Sequence, residues 1–439
     1  MDSWILQVRR LLRPLRSGAG GETTLDRLVR EDAEDPSGEE GLAASTRLVV
    51  DLGRALLSLG LPAQRLEEAL ERLAEALGCQ VDAFSTPTAL MLTVSDGAAR
   101  RTRVVRVEPG ETDLERLSAL HDLVGRVERH ELTPADASRR VRGILARKDR
   151  YPAALTVACY GGASAGASVL LGGGLTDLGP ALGLGVLVGL LVRVARAAPN
   201  FGRIVPVLAA TAITVLARAI GATGVPVHES ILVLASIIVL LPGFTLTIAT
   251  MELATANVVS GTSRLVGGFA TLIQLGFGVA LGHRLAELLP HVATADAPAA
   301  PEGLLWVGYG VATLSFTVLL KAAPRDLLSI LVAAAVAVFG ANLGREWLGP
   351  ELGALVGATL LGVVSHLHAR MRDRPVLLLM TPGILMLVPG SVGFLSVSSM
   401  LDAEVVVALQ TAFRMILIAT SLAAGVLVAT VAVPPRRAL

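Results

Sequence analysis

Glu252, Asn257, Ser260 and Arg264 follow Pro242-Gly243 in an otherwise apolar stretch. Gln410 and Arg414 follow a second Pro-Gly, Pro389-Gly390, and Pro382-Gly383 lies just before it. Pro removes a backbone donor and Gly relaxes φ, so a helix can open there and offer unpaired N–H and C=O groups to a solute. An ionisable residue at membrane depth is costly and is a functional candidate by default. Arg264 or a helix N-terminus could hold a carboxylate. Glu252 could hold an ammonium or carry a coupling proton. If 244–264 instead lies at the membrane interface, Glu252 and Arg264 would snorkel to water. The pattern leaves that depth open.

These residues need membrane-spanning elements to position them. From Pro152 onward, apolar stretches alternate with short polar ones, and about 17–25 apolar residues cross the hydrocarbon as a helix. Ten spans are expected, near 153–172, 178–197, 203–220, 229–243, 262–282, 303–320, 326–342, 350–368, 375–394 and 404–430. The stretch 244–261 reads as an extra half-helix or a re-entrant piece. Gly162/Gly166, Gly185/Gly189, Gly278/Gly282 and Gly353/Gly357 have the spacing of close helix contacts. Connections on the side of Arg147, Arg193, Arg264, Lys321 and Arg370 are rich in Arg and Lys. The opposite side offers Arg218, Arg284, Arg345 and Arg414. This places both termini in the cytoplasm.

A weak repeat runs through the apolar part. Tyr160-Gly161 matches Tyr309-Gly310 at an offset of 149, and IIVLLPG ending at Gly243 matches ILMLVPG ending at Gly390 at an offset of 147. Two halves of five spans each are then inverted relative to one another, because five is odd. That is an architecture of secondary transporters, with the solute near the midplane where broken helices meet.

The amino-terminal third is different. It holds 48 charged residues in 1–150, against 27 in the rest. Leucines at helical spacing give helices over 46–59 and 62–77. QVDAFS, TALMLTVS and RTRVVRV read as strands, with Asp96-Gly97 as a hairpin turn. Two amphipathic helices follow near 111–130 and 134–148, the second capped by Thr133-Pro134. The expected fold class is mainly α and polytopic, with about ten transmembrane helices in two inverted repeats behind a small cytoplasmic α+β domain. The expected division is 1–44 amphipathic or disordered, 45–150 cytoplasmic, 151–285 first membrane repeat, 286–302 external linker and 303–432 second repeat.

Composition sets the exclusions. The 439 residues are 53% hydrophobic and 17% charged, with a net charge of +1 and a mean hydropathy of +0.64. Soluble domains carry about 25% charged residues, and no basic field attracts nucleic acid. Cys79 and Cys159 have no metal or disulfide spacing. MDSWILQVRRLLRPLRSG lacks a signal-peptide cleavage site and reads as a basic amphipathic helix on the membrane or a frayed end. Ser85, Thr86 and Thr88 cluster, but no His stands in recognisable relation to them, which weakens a hydrolase reading.

GLPAQRLEEALERLAEALG, then STPTALMLT, then LLPG followed by MELATANVVSGTSR resembles the threonine/serine exporter family. TPGILMLVPGSVGF is similar to that family's companion membrane domain, fused here on one chain. The resemblance covers about 45–435. Arg65, Glu67, Thr86, Pro87, Thr88, Pro242, Gly243, Glu252, Ser260, Gly261 and Arg264 match the family's recurring positions. Glu252 stands where other members often carry Asp. The resemblance implies efflux of threonine and serine across the bacterial inner membrane, driven by protons and without a cofactor or metal. Its partners would be the lipid bilayer, the solute and protons, with room for a homo-oligomer. Some relatives export dicarboxylates such as succinate, so the substrate does not follow from the fold.

Overall fold

The computed structural model describes residues 40–97, 99–288, 301–387, 390–401 and 405–434. The basic amino-terminal segment, most of the rest of 1–44, most of the 286–302 linker, Pro389 and Arg436 and Arg437 lie outside the described residues.

The polar third folds as a module of helices on a small sheet. Helices α1 (Glu40–Ser58) and α2 (Ala63–Ala76) precede β1 (Gln80–Thr86), β2 (Ala89–Ser95) and β3 (Arg100–Arg106). The strands form an antiparallel meander in the order β1-β2-β3. Period-two alternation buries Leu90, Leu92 and Val94 of β2 against the helices and turns Met91 outward. Helices α3 (Leu114–Glu128) and α4 (Pro134–Leu145) complete the module. Asp113 accepts from the Arg116 N–H at 2.9 Å, and Thr133 accepts from the Asp136 N–H at 3.2 Å with Pro134 at the first helical position. These caps satisfy amides that a helix start leaves unpaired.

The apolar part is helical throughout its described length. Its elements are α5 (Ala153–Leu170), α6 (Leu175–Ala197), the short α7 (Pro199–Gly202), α8 (Val205–Ala222), α9 (Glu229–Ser236), α10 (Gly243–Ala254) and α11 (Val258–Ala286). The second half contains α12 (Glu302–Leu319), α13 (Leu327–Leu348), α14 (Pro350–Arg372), α15 (Leu377–Leu387), α16 (Gly390–Leu401) and α17 (Val405–Ala432). Among the described residues, eight segments are long and apolar enough to cross a membrane, and α9 with the segment Ile238–Ala254 forms a ninth, bent by 46°. The sixth expected span, 303–320, is represented by the shorter apolar helix Gly303–Leu319. The expected span 229–243 therefore stops too early. The chain continues through the bend into α10, with Pro242 as its N-cap, and 244–254 is the second half of that broken element.

All four Gly-xxx-Gly pairs mark close helix approaches. A methyl group at Gly166 would stand 2.8 Å from the Gly308 carbonyl oxygen of α12, and one at Gly278 would meet Val207 of α8. Gly189 faces the Tyr160 ring, and Gly357 faces the Ala337 carbonyl of α13. Small residues let backbones approach where no hydrophobic drive separates helix from lipid.

The module sits at one end of the bundle and touches both halves. The Leu114 N–H donates to the Leu320 carbonyl at 3.0 Å, and the Tyr151 hydroxyl donates to the Ala322 carbonyl at 2.6 Å. α5 therefore runs away from the module and α12 runs toward it. The two pack antiparallel, with Gly162 against Ser315 and Gly166 against Gly308. The core of the module continues into the second half through Ala322, Ile330, Leu378 and Leu361. A separate cluster fills the first half and reaches Phe394 and Met415 of the second.

Candidate functional site

Glu252, Ser260 and Arg264 come together because α10 turns back into α11 through Thr255–Asn257. Ala256 takes a positive φ of 64° in that turn. Asn257 is the N-cap position of α11, half-buried, with its amide Nδ2 3.4 Å from the Thr255 carbonyl. Gly261 lets the two helices close: a methyl group there would stand 2.9 Å from the Ala249 carbonyl oxygen. The Glu252 carboxylate is 1% exposed. It accepts from the Ser260 hydroxyl at 2.9 Å, and the Arg264 Nε lies 3.1 Å from both of its oxygens. It also accepts the Ala63 N–H of the module at 2.9 Å, while Arg264 Nη2 donates to the Leu61 carbonyl at 3.2 Å. A buried charge needs a partner and hydrogen bonds, and this one has both. The pair lies at the junction of module and bundle, on the module side.

Around it the module contributes further polar groups. Glu67 accepts from both the Ser85 N–H and the Ser85 hydroxyl at 2.9 Å. Burial pushes the Glu67 carboxyl above its ordinary range, against the lowering effect of the Ser85 bonds, and the nearby Glu71 and Glu252 charges add to the rise. Arg65 pairs with Glu68 at 3.4 Å, and burial lowers its pKa. Thr86 shapes the turn into β2, accepting from the Ala89 N–H at 3.1 Å. Ser85 and Thr86 thus spend their hydroxyls on a carboxylate and a turn.

The remaining expected residues lie elsewhere. Pro242-Gly243 does interrupt the first-half element, and Gly268 of α11 packs close to Pro242. Pro382-Gly383 does not break its helix: both are buried inside the continuous α15, where Leu361 packs against Gly383. One lost backbone bond is offset there by dense packing. Val388 and Pro389 lie outside the described residues, and α15 and the start of α16 together form one membrane-length segment, Leu377–Ser396. Gln410 is exposed on α17. Arg414 pairs with Glu351 at 2.7 Å. Neither meets Glu252.

A cavity of about 160 Å³ lies in the second half, on the side away from the module. Its lining runs from Arg345 and Asn342 in the last turns of α13 to Met386 and Leu387 of α15 and Val392 of α16, with Tyr309 of α12 in its wall. Arg345 makes no ion pair with any described residue, and the lining holds no carboxylate. A charge near a helix end reads as a snorkelling side chain, so sequence reasoning placed Arg345 only by its side of the membrane.

The family model described as "Putative threonine/serine exporter" matches residues 47–286, and the model described as "Threonine/Serine exporter" matches 306–432. Similar curated proteins are fungal. Pheromone-regulated membrane protein 10 of Candida albicans is 27% identical over 369 residues, 81% of this chain and 33% of that protein. Its namesake from Eremothecium gossypii is 26% identical over 373 residues, 81% of this chain and 49% of its own length. An uncharacterized protein of Schizosaccharomyces pombe is 25% identical over 359 residues, 78% of this chain and 47% of its own. The chain thus spans a third to a half of the length of these relatives. No solved structure matches.

Proposed function

Because the chain belongs to the threonine/serine exporter family, we propose that it is a secondary exporter of small polar amino acids, threonine and serine, coupled to protons. In this reading it spans a bacterial inner membrane with the module and both termini in the cytoplasm. The observation that carries the reading is the seam between the halves. α10, which follows the bend at Pro242-Gly243, packs on α17 of the other half, and α16 packs on α11. A broken helix at the seam between halves is where transporters expose backbone groups to a solute.

Further features support two inverted halves. The pairings α8 with α11 and α10 with α11 recur as α14 with α17 and α16 with α17. Asp177, fully buried, accepts from the Gly174 N–H at 2.7 Å beside the start of α6, and Asp326, also buried, stands at the start of α13. Coupling to protons would act through Glu252, since a proton there removes the charge that holds Arg264.

A second reading, export of small dicarboxylates, is favoured by the second-half cavity, which offers Arg345 and no acid for an ammonium. Counterflow of labelled threonine and labelled succinate into proteoliposomes tests both. Threonine exchange is expected. Exchange of succinate alone would overturn the amino-acid reading.

A further inference from the structure

The burial pattern ties α6 to α13 residue by residue. Ala181, Leu184, Gly185, Val188 and Gly189 are buried in α6, and Ile330, Ala333, Ala334, Ala337 and Val338 are buried in α13. The offset is 149 throughout, the same as that between Tyr160 and Tyr309. At this register Arg196 of α6 corresponds to Arg345 of α13. The two arginines stand at opposite ends of the bundle, because α6 runs toward the module and α13 away from it.

Arg196 has a carboxylate in its grasp. Its Nη2 lies 2.7 Å from one oxygen of Glu111, a module residue, and 2.8 Å from the other. Lys321 stands 3.4 Å from the same carboxylate. Arg345 has the matching position, no ion-pair partner among the described residues, and an adjoining cavity that ends at Met386, Leu387 and Val392. Guanidinium groups bind carboxylates with paired charge-assisted hydrogen bonds. The neighbouring Glu351 is already held by Arg414.

We propose that Arg345 binds the carboxylate of a small solute in this cavity, and that Glu111 stands in for that carboxylate at the inverted counterpart, Arg196. This deepens the exporter reading and rests on it for the word solute. Asn342 and the Tyr309 hydroxyl are the groups left to meet the solute's remaining polar atoms. Met386, Leu387 and Val392 form the inner floor. Threonine and succinate share the carboxylate, and the test separates them.

The test is equilibrium dialysis of the purified full chain with labelled threonine and, separately, labelled succinate. Unlabelled threonine methyl ester, whose carboxylate is masked, serves as competitor. The wild-type chain should bind at least one of the two acids, and the ester should compete at least tenfold more weakly than the free acid. Arg345→Gln should weaken binding at least tenfold and Arg345→Lys less. Arg284→Gln, which alters an exposed arginine outside the cavity, should leave binding unchanged. Unaltered binding by Arg345→Gln, equal competition by the ester, or no binding of either acid would overturn the site. Counterflow separates the two claims. Binding through Arg345 without counterflow sinks the exporter reading alone, and counterflow with unchanged affinity in Arg345→Gln sinks this site alone.

Discussion

Glu252 and Ala63, 189 positions apart in the chain, share a hydrogen bond of 2.9 Å from the Ala63 N–H to the carboxylate. A carboxylate in a membrane helix thereby caps a helix of the polar module. α2 has Pro62 as its N-cap residue and no side-chain cap of its own. Its first amides and partial positive charge favour an anion at that point. Arg264 then ties the same carboxylate to the Leu61 carbonyl just ahead of the cap.

Glu252→Gln keeps the size of the side chain and removes its charge. Arg264 is left facing an amide, and the cap on α2 weakens. Amide exchange over residues 61–66 should quicken about fivefold, in line with the ~1 kcal/mol typical of a lost cap. Threonine counterflow should fall more than the yield of folded protein. Undiminished counterflow would remove Glu252 from the coupling mechanism.

Arg264→Ala leaves the carboxylate buried without its cation. Breaking a buried pair from one side costs about 3–5 kcal/mol. Thermal unfolding in detergent should register a loss of that order. The double variant Glu252→Gln with Arg264→Ala should lose less than the two single losses added together, since the unpaired charge is gone. Strict additivity would mean that the two residues do not act as a pair.

Two glycines of α6 make an internal control. A methyl group at Gly185 would press on the Ser164 hydroxyl and stand 2.7 Å from the Tyr160 carbonyl oxygen, whereas one at Gly179 meets nothing within 4 Å. Gly185→Ala should destabilise by about 1–3 kcal/mol through overpacking. Gly179→Ala should be neutral or stabilise by about 0.5–1 kcal/mol through helix propensity. Melting temperatures of the two variants decide the point, and equal shifts would contradict the α5–α6 contact.

Glu67 gives the module a pH dependence of defined sign. Burial raises its pKa above the unfolded value of 4.5, so the folded state prefers the neutral acid. Its contribution to stability is full below pH 4.5 and is lost as pH rises through the folded pKa. Glu67→Gln can still accept both Ser85 bonds through one oxygen and does not ionise. The stability difference between variant and wild type should therefore grow in the variant's favour as pH rises from 4.5 and then level off. Exchange protection of residues 80–95 in the full chain measures it, and a difference that is flat with pH would refute the assignment.

Much of this architecture is written in local patterns. The helices of the module, the strands and the caps at Asp113 and Thr133 follow from spacing and side-chain type. The broken element was cut short at Gly243 because Pro-Gly reads as an end, whereas Pro242 serves as the N-cap of a continuing helix. Glu252, Ser260 and Arg264 were legible as neighbours because one turn of backbone folds α10 onto α11. Their partner Ala63 was not, since a backbone N–H leaves no mark on a sequence. Gln410 and Arg414 follow a Pro-Gly in the chain, but Gln410 is exposed and Arg414 pairs with Glu351. Sequence proximity to a break does not choose a helix face. Arg345 reads only as a charge near a helix end, because its cavity forms where α12, α13 and α15, far apart in the chain, pack together.

The module holds the two halves by unlike means. Toward the second half its apolar interior runs on without a boundary, through Ala322 and Leu378, and backbone and hydroxyl bonds at Leu320 and Ala322 add to it. Toward the first half the ties are the Ala63 N–H to Glu252, Arg264 to the Leu61 carbonyl and the Arg196–Glu111 ion pair. Ion pairs reach the second half as well, Lys321 with Asp149 and Arg374 with Asp122. Salt weakens the exposed pairs on both sides and leaves the apolar continuity intact. Raised ionic strength should thus carry the module as a passenger of residues 302–432, hinged on grease and loosened where polar ties dominate.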